Sequence, residues 1–167
     1  ERPSAACGRP RYNRRASLGT PGATADSTRT YKNNARGWSR YSQGRVPSIT
    51  PAITHPPVDR NIAPGAQAAP TDIYARVTRE TDAGIYVSGA KVVATGSALT
   101  NYTFVAHHGL IPVQDKKFAV VFMVPTNTPG VKFICRTSYE MSATAMGSPF
   151  DYPLSSRLDE NDAVFIL

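Results

Sequence analysis

No run of 18 or more apolar residues occurs in the chain, which excludes a membrane-spanning helix. The start, Glu1-Arg2-Pro3-Ser4, lacks the basic-then-apolar layout of a secretory signal. It also lacks an initiator Met, and the last apolar stretch stops at Leu167 without a turn or cap; both features predict a processed or cut chain. Cysteine is scarce. Cys7 and Cys135 stand far apart, match no metal-ligand spacing, and read as two reduced thiols of a cytoplasmic protein. No Ser-His-Asp order, phosphate loop or pair of catalytic carboxylates stands out, and Asp159-Glu160-Asp162 reads most simply as a solvated turn.

Acid is also short, and unevenly so. Residues 1–60 hold 11 Lys/Arg against 3 Asp/Glu, whereas residues 61–167 hold 8 against 9, so the net charge of +7 sits in the first third. A basic arm ahead of a near-neutral body fits nucleic acid, an anionic ligand or an acidic partner domain, and composition does not separate these.

What is present divides into three zones: 1–45, 46–71 and 72–167. Residues 1–23 are rich in Arg, Gly and Pro and show no apolar period, so structure before residue 46 is expected to be dominated by loop. Within that zone a helix fits residues 26–42, capped by Asp26 or Ser27, with Tyr31, Ala35, Trp38 and Tyr41 near a 3.6-residue period. Gly37 weakens that helix by about 1 kcal/mol relative to Ala. Residues 46–71 carry six prolines and predict an extended, irregular connection. From residue 73 onward the pattern is that of strands: Ile73–Arg79, Gly84–Ser88, Ala90–Thr95, Tyr102–Ala106, Phe118–Val124, Val131–Thr137 and Ala163–Leu167. About seven short strands with turns between them predict a mainly β domain, a barrel or sandwich.

Several small motifs carry possible chemistry. Thr95 and Ser97 follow an apolar strand, where hydroxyls and backbone N–H groups can meet the polar edge of a flavin ring; Thr and Ser at such a place more often cap a turn. Pro56-Pro57-Val58-Asp59-Arg60 sets an acid and a base on a stiff diproline, suited to gripping a ribityl or phosphate group, or else forming a surface turn with an ion pair. Arg9, Arg11 and Tyr12 can bond a carboxylate or phenolate, or form a solvated basic tail. Adjacent His107 and His108 point to opposite faces of a strand, so one buried and one exposed side chain is expected and no shared metal ion.

Longer stretches are more specific. Glu80-Thr81-Asp82-Ala83-Gly84-Ile85-Tyr86-Val87-Ser88-Gly89-Ala90-Lys91-Val92-Val93-Ala94-Thr95, Thr137-Ser138-Tyr139-Glu140-Met141, and Gly147-Ser148-Pro149-Phe150-Asp151-Tyr152-Pro153-Leu154-Ser155-Ser156-Arg157 through Ala163 resemble the oxygenase components of two-component flavin-dependent phenol hydroxylases of the 4-hydroxyphenylacetate 3-monooxygenase type. The resemblance reaches back through Pro56–Arg60 to Asn34-Ala35-Arg36. It implies an acyl-CoA dehydrogenase-like architecture with a helical N-terminal part, a middle β-barrel and a C-terminal helical bundle that completes the flavin site. On that reading this chain holds the end of the first part (1–45), a Pro-rich connection (46–71) and the flavin-facing barrel (72–167), lacks the bundle, and is inactive alone.

The resemblance further implies reduced FAD supplied by a separate NAD(P)H-dependent flavin reductase, O2 as co-substrate, ortho-hydroxylation of a 4-substituted phenol to a catechol, and a homo-oligomer, dimer or tetramer, of the full enzyme. The family's substrate-binding Arg and Tyr map to Arg9 and Tyr12 in Gly8-Arg9-Pro10-Arg11-Tyr12, with one residue fewer. Its active-site His, which activates the phenol, falls on Pro51, a departure from the family pattern, and His55, which holds the place of a following Asn, is kept with Arg9 and Tyr12 as a catalytic candidate. Its flavin contacts fall on Pro57, Val58, Asp59, Arg60 and Thr95, and the loop over its substrate on 106–114, with Gly109 and Leu110 nearest the ring. A dehydratase of this fold binds an iron–sulfur cluster, but Cys7 has no partner three or four residues away. Two other readings remain: a basic-armed β-barrel that packages RNA, and an inactive paralogue whose barrel survives as a structural unit.

Overall fold

The structure, a computed structural model, describes residues 32–59, 61–67, 71–107, 115–146, 150–151, 153–158 and 161–167. It opens with helix α1 (Lys32–Arg45). Residues 1–31 lie outside the described residues, and the helix expected over 26–42 is therefore present in its described part and runs three residues past the expected end. Its aromatic stripe explains this. Trp38 and Tyr41 stack against Tyr102, with ring centroids 4.8 and 6.1 Å from it, and the Tyr102 hydroxyl donates to the Tyr41 hydroxyl at 3.0 Å. That tertiary anchor outweighs the cost of Gly37 and Gly44.

Strand β1 (Ile49–Ala52) lies inside the proline-rich stretch, where no strand was expected. It pairs in parallel with β5 (Tyr102–Val105), which pairs antiparallel with β6 (Phe122–Pro125). β1 is the edge of this sheet. An edge strand can direct a missing N–H away from its partner, so Pro51 is tolerated there. A hairpin of β2 (Arg76–Thr81) and β3 (Gly84–Ser88) stands apart, and β4 (Ala90–Lys91) pairs with β8 (Ala163–Ile166), which pairs with β7 (Lys132–Cys135). Helices α2 (Tyr139–Met146) and α3 (Ser155–Leu158), neither of them expected, fill the connection from β7 to β8. Ser138 starts α2 by accepting from the Met141 amide at 3.1 Å, an N-cap the sequence displays.

The described strands form three small sheets and not a closed barrel. Single bridges stitch the sheets together, Thr54 to Val92 and Tyr74 to Ala90. β6 and β7, neighbours in sequence, belong to different sheets, so the described strands do not close on one another there. Two backbone features set these boundaries. Val93 has φ +58, a region a β-branched residue rarely adopts, so the strand expected over 90–95 ends at Lys91 and the Val93 side chain turns out to 52% exposure. Gly89 passes so close to Tyr74 that an added Cβ would lie 2.3 Å from its carbonyl oxygen; only Gly fits. The core between the sheets is Ala52, Ala94, Val105 and Phe165, with Phe133 and Phe165 ring centroids 5.4 Å apart.

Candidate functional site

The site residues gather at the two ends of β1. At the first end Thr50 Oγ1 donates to the Thr95 carbonyl at 2.6 Å, and Thr95 Oγ1 donates to Asp162 Oδ1 at 2.5 Å. Asp162 was expected in a solvated turn; it is exposed, yet it holds Thr95. The chain then turns sharply. Gly96 takes φ +69 with open space on the Cβ side, and its amide donates to the Asn161 carbonyl at 2.6 Å. Ser97 follows, 1% exposed, its Oγ buried with no hydrogen-bond partner among the described residues. Thr95 and Ser97 are thus brought together as the sequence suggested, and Thr50 joins them unforeseen, because its strand was hidden among prolines.

At the other end the backbone brings three basic side chains together. The Val92 amide donates to the Thr54 carbonyl at 3.0 Å and the Ala106 amide to the Ala52 carbonyl at 3.4 Å, while Tyr74 bridges Ala90. His55, Lys91 and His107 each sit one residue beyond such a contact. Lys91 is 2% exposed, and its Nζ donates to the Ile53 carbonyl at 3.4 Å. Burial lowers its pKa from 10.5 to about 8. His55 stands edge-on to the Tyr74 ring at 5.2 Å, and its pKa falls from 6.5 to about 4, first through burial, then through the positive charges of Lys91 and His107. The Nδ1 atoms of His55 and His107 are both buried with no partner among the described residues. The sequence did carry a sign of Lys91: a charged residue within the apolar run Ala90-Lys91-Val92-Val93.

The diproline segment lies just beyond His55. Asp59 uses its carboxylate on the Asn61 amide at 2.9 Å, and Gln67 pins the segment by donating to the Asp59 and Ile62 carbonyls, both at 2.7 Å. Pro57 and Val58 face outward in this turn, so the local geometry is that of an anchored surface turn. Arg60, Arg9, Tyr12, Gly109 and Leu110 lie outside the described residues, as does His108. An open depression of about 610 Å³ beside Tyr41, Arg45, Asn101 and Tyr102 contains none of the expected site residues. Among the described residues no helix is long and apolar enough to cross a membrane, and no group of three or more His, Cys, Asp or Glu is placed to hold a metal ion.

Comparison with known proteins gives a consistent family. The sequence matches 4-hydroxyphenylacetate 3-hydroxylase N terminal over residues 12–167. It is 52% identical over 149 residues to the oxygenase component of a Rhodococcus 4-nitrophenol 2-monooxygenase, covering 89% of this chain and 28% of that protein. It is 55% identical over 150 residues to a Streptomyces globisporus monooxygenase of a carrier-bound 3-amino-3-(3-chloro-4-hydroxyphenyl)propanoyl group, covering 90% and 28%. A crystal structure of the oxygenase component of 4-hydroxyphenylacetate 3-monooxygenase with FAD and 4-hydroxyphenylacetate superposes with TM-score 0.73 at 36% identity, over 87% of this chain and 29% of that one. The chain therefore spans somewhat more than a quarter of the length of the relatives it matches. With the match running from residue 12 to residue 167 and about half the aligned positions identical in the first two relatives, the chain belongs to the 4-hydroxyphenylacetate 3-hydroxylase N-terminal family.

Proposed function

We propose that this chain supplies the flavin-facing β part of a two-component aromatic hydroxylase that converts a 4-substituted phenol such as 4-hydroxyphenylacetate to a catechol. Residues 72–167 form the flavin-facing domain, which the whole protein rounds into a barrel; 46–71 are its connection, and 1–45 the end of a helical part. The observation that carries the reading is the Thr50–Thr95–Gly96–Ser97 turn. It joins an orphaned buried hydroxyl, an exposed hydroxyl held by Asp162 and a backbone open on its Cβ side. The Ser97 hydroxyl is the free donor there, and Thr95 Oγ1, whose proton goes to Asp162, can accept; together they fit the polar edge of an isoalloxazine ring.

Reduced FAD, delivered by a separate NAD(P)H-dependent reductase, would activate O2 and supply the oxygen atom. The chain's own residues orient and shield. Thr95 and Ser97 hold the ring edge; Pro57 to Arg60 lie along the cofactor; Gly109 and Leu110 cover the substrate. Arg9 and Tyr12 take the substrate's charged and hydroxyl groups, and His55 stands in for the family His replaced by Pro51. The assembly acts in the cytoplasm as a dimer or tetramer, and the 167 residues alone are inactive.

The test is turnover by the intact protein with a flavin reductase, NADH and a panel of 4-substituted phenols. Catechol formation is expected. Arg9→Ala is expected to raise the KM roughly ten- to a hundredfold, as loss of a charge-assisted contact does, with NADH still consumed and peroxide released in place of catechol. Arg11→Ala should do less. Absence of catechol from every phenol, with no flavin-dependent O2 uptake, would refute the proposal.

A further inference from the structure

The depression of about 610 Å³ between the end of α1 and the turn after β6 takes no part in the hydroxylase reading, yet its chemistry is one-sided. Its volume lies in the range of small-molecule sites, about 300–1,000 Å³. Among the described residues Arg45 is the one charged side chain in its lining, and no carboxylate lines it. The described ion pairs lie elsewhere, between Asp72 and Arg76 and between Asp115 and Lys117. The Arg45 guanidinium stands 5.6 Å from the centre of the Tyr41 ring.

Three neutral groups beside it have protons to give. The Tyr102 hydroxyl donates to the Tyr41 hydroxyl at 3.0 Å, which leaves the Tyr41 proton over. Asn101 Oδ1 accepts from the Ser48 amide at 2.9 Å, and its Nδ2 keeps two N–H donors unused. Thr126 Oγ1 is buried with no partner among the described residues, although the Thr126 amide donates to the Asn101 carbonyl at 2.9 Å. A buried hydroxyl left without a partner costs stability, and a ligand oxygen would remove that cost. The backbone beside Arg45 is strained as well. Val46 takes φ +47, rare for a β-branched residue, while its amide closes on the Ser42 carbonyl at 2.8 Å; this turn ends α1 with Arg45 at the pocket.

Four donor residues with one positive charge and no acid suit an oxyanion with more than two oxygens, since the two oxygens of a carboxylate would leave donors unused. The remaining space runs along Pro47, Pro125 and the tyrosine rings, surfaces that suit a flat organic group. We propose that Arg45, Asn101, Thr126 and the Tyr41 hydroxyl bind a phosphate monoester that carries a flat ring, at a site that includes none of the residues assigned to the flavin or the phenol. The guanidinium takes the phosphate as a bidentate fork, and the three neutral donors supply the other bonds. No covalent bond changes.

Equilibrium dialysis of the intact protein, with FAD in excess to fill the cofactor's own site, compares phenyl phosphate, adenosine 5′-monophosphate, inorganic phosphate and adenosine. At least one monoester is expected to bind saturably and about tenfold or more tighter than inorganic phosphate and adenosine. The tighter of the two tells an aryl phosphate from a nucleotide. Arg45→Gln should weaken that binding roughly ten- to a hundredfold and Thr126→Val several-fold, while Arg45→Lys keeps part of it. Arg45 is exposed, so Arg45→Gln should leave the melting temperature unchanged. Binding that survives Arg45→Gln, adenosine or inorganic phosphate held as tightly as the monoesters, or no binding of either monoester at millimolar concentration would overturn the proposal.

Discussion

At the Thr50 end of β1 a hydroxyl, a carbonyl, a second hydroxyl and a carboxylate pass hydrogen bonds along one line, from Thr50 through Thr95 to Asp162. At the His55 end an ammonium and two imidazoles meet; Lys91 donates to the Ile53 carbonyl, and the buried Nδ1 atoms of His55 and His107 have no partner among the described residues. The two ends share one short strand, roughly 16 Å apart if the chain is extended at about 3.3 Å per residue. A polar group that is matched inside the protein stabilises the fold, and one that is not costs it stability. The first end therefore reads mainly as scaffold, with Ser97 as its one open hydroxyl. The second keeps its unmatched basic groups at a cost to the fold.

The largest effect should come from the core that carries both ends. Phe165 is fully buried against Ala52, Ala94 and Val105. Phe165→Ala should cost about 3–5 kcal/mol, the range for emptying a buried aromatic site, read from the denaturant midpoint. Phenol and flavin binding should weaken together. Loss of one without the other would show that the ends do not share this core.

The next effect separates the ends by pH. His55 has its pKa depressed from 6.5 to about 4 in the folded state, so the unfolded chain binds more protons between those values. Stability from this group is present above pH 6.5 and lost as pH falls towards 4. The amount is about 2 kcal/mol, taking 1.36 kcal/mol per pH unit and discounting for partial exposure. Lys91, depressed from 10.5 to about 8, follows the same sign at higher pH. Its cost stands below pH 8 and is relieved as pH rises to 10.5, by about 3 kcal/mol at the same conversion. Chemical denaturation of wild type and Lys91→Met across both windows checks this. The variant should be the more stable protein at pH 7 and should lose the alkaline rise. A less stable variant would mean Lys91 serves structure.

The sequence displayed the hydroxyl end better than the basic end, for physical reasons. Thr95 and Ser97 sit after an apolar run, a local pattern, and the resemblance covers that run without a gap. Thr50 was missed because proline at 51 argues against a strand, and only the edge position of β1 removes the objection. The basic cluster is non-local: His55, Lys91 and His107 are separated by 36 and 16 residues and meet through two amide contacts and a bridge that no short-range pattern predicts. The left-handed Val93 hid the boundary in the same way, since its sequence context is purely strand-like. Helix α1 was legible from its aromatic period, whereas α2 was not, although Ser138 stood at its cap position.

A smaller change tests the scaffold reading. Thr95→Val keeps the shape and removes the bond to Asp162. It should cost about 1 kcal/mol, the usual net value of one hydrogen bond, by thermal melt. A cost near zero would move Thr95 from scaffold to ligand contact.

The smallest effect on stability, and the sharpest on function, should come from Ser97→Ala. The Ser97 hydroxyl is buried and has no hydrogen-bond partner among the described residues. Removing it takes away a polar group whose desolvation is uncompensated and leaves the backbone bonds of the turn intact, including the Ser97 amide to the Ala94 carbonyl at 3.2 Å. The variant should be unchanged or more stable by up to about 1 kcal/mol. If the hydroxyl waits for the flavin edge, the same variant should bind reduced FAD several-fold more weakly in the intact protein, measured by anaerobic titration. A variant that loses stability and keeps its flavin affinity would make Ser97 part of the scaffold, and the contrast between the two ends of β1 would then rest on charge alone.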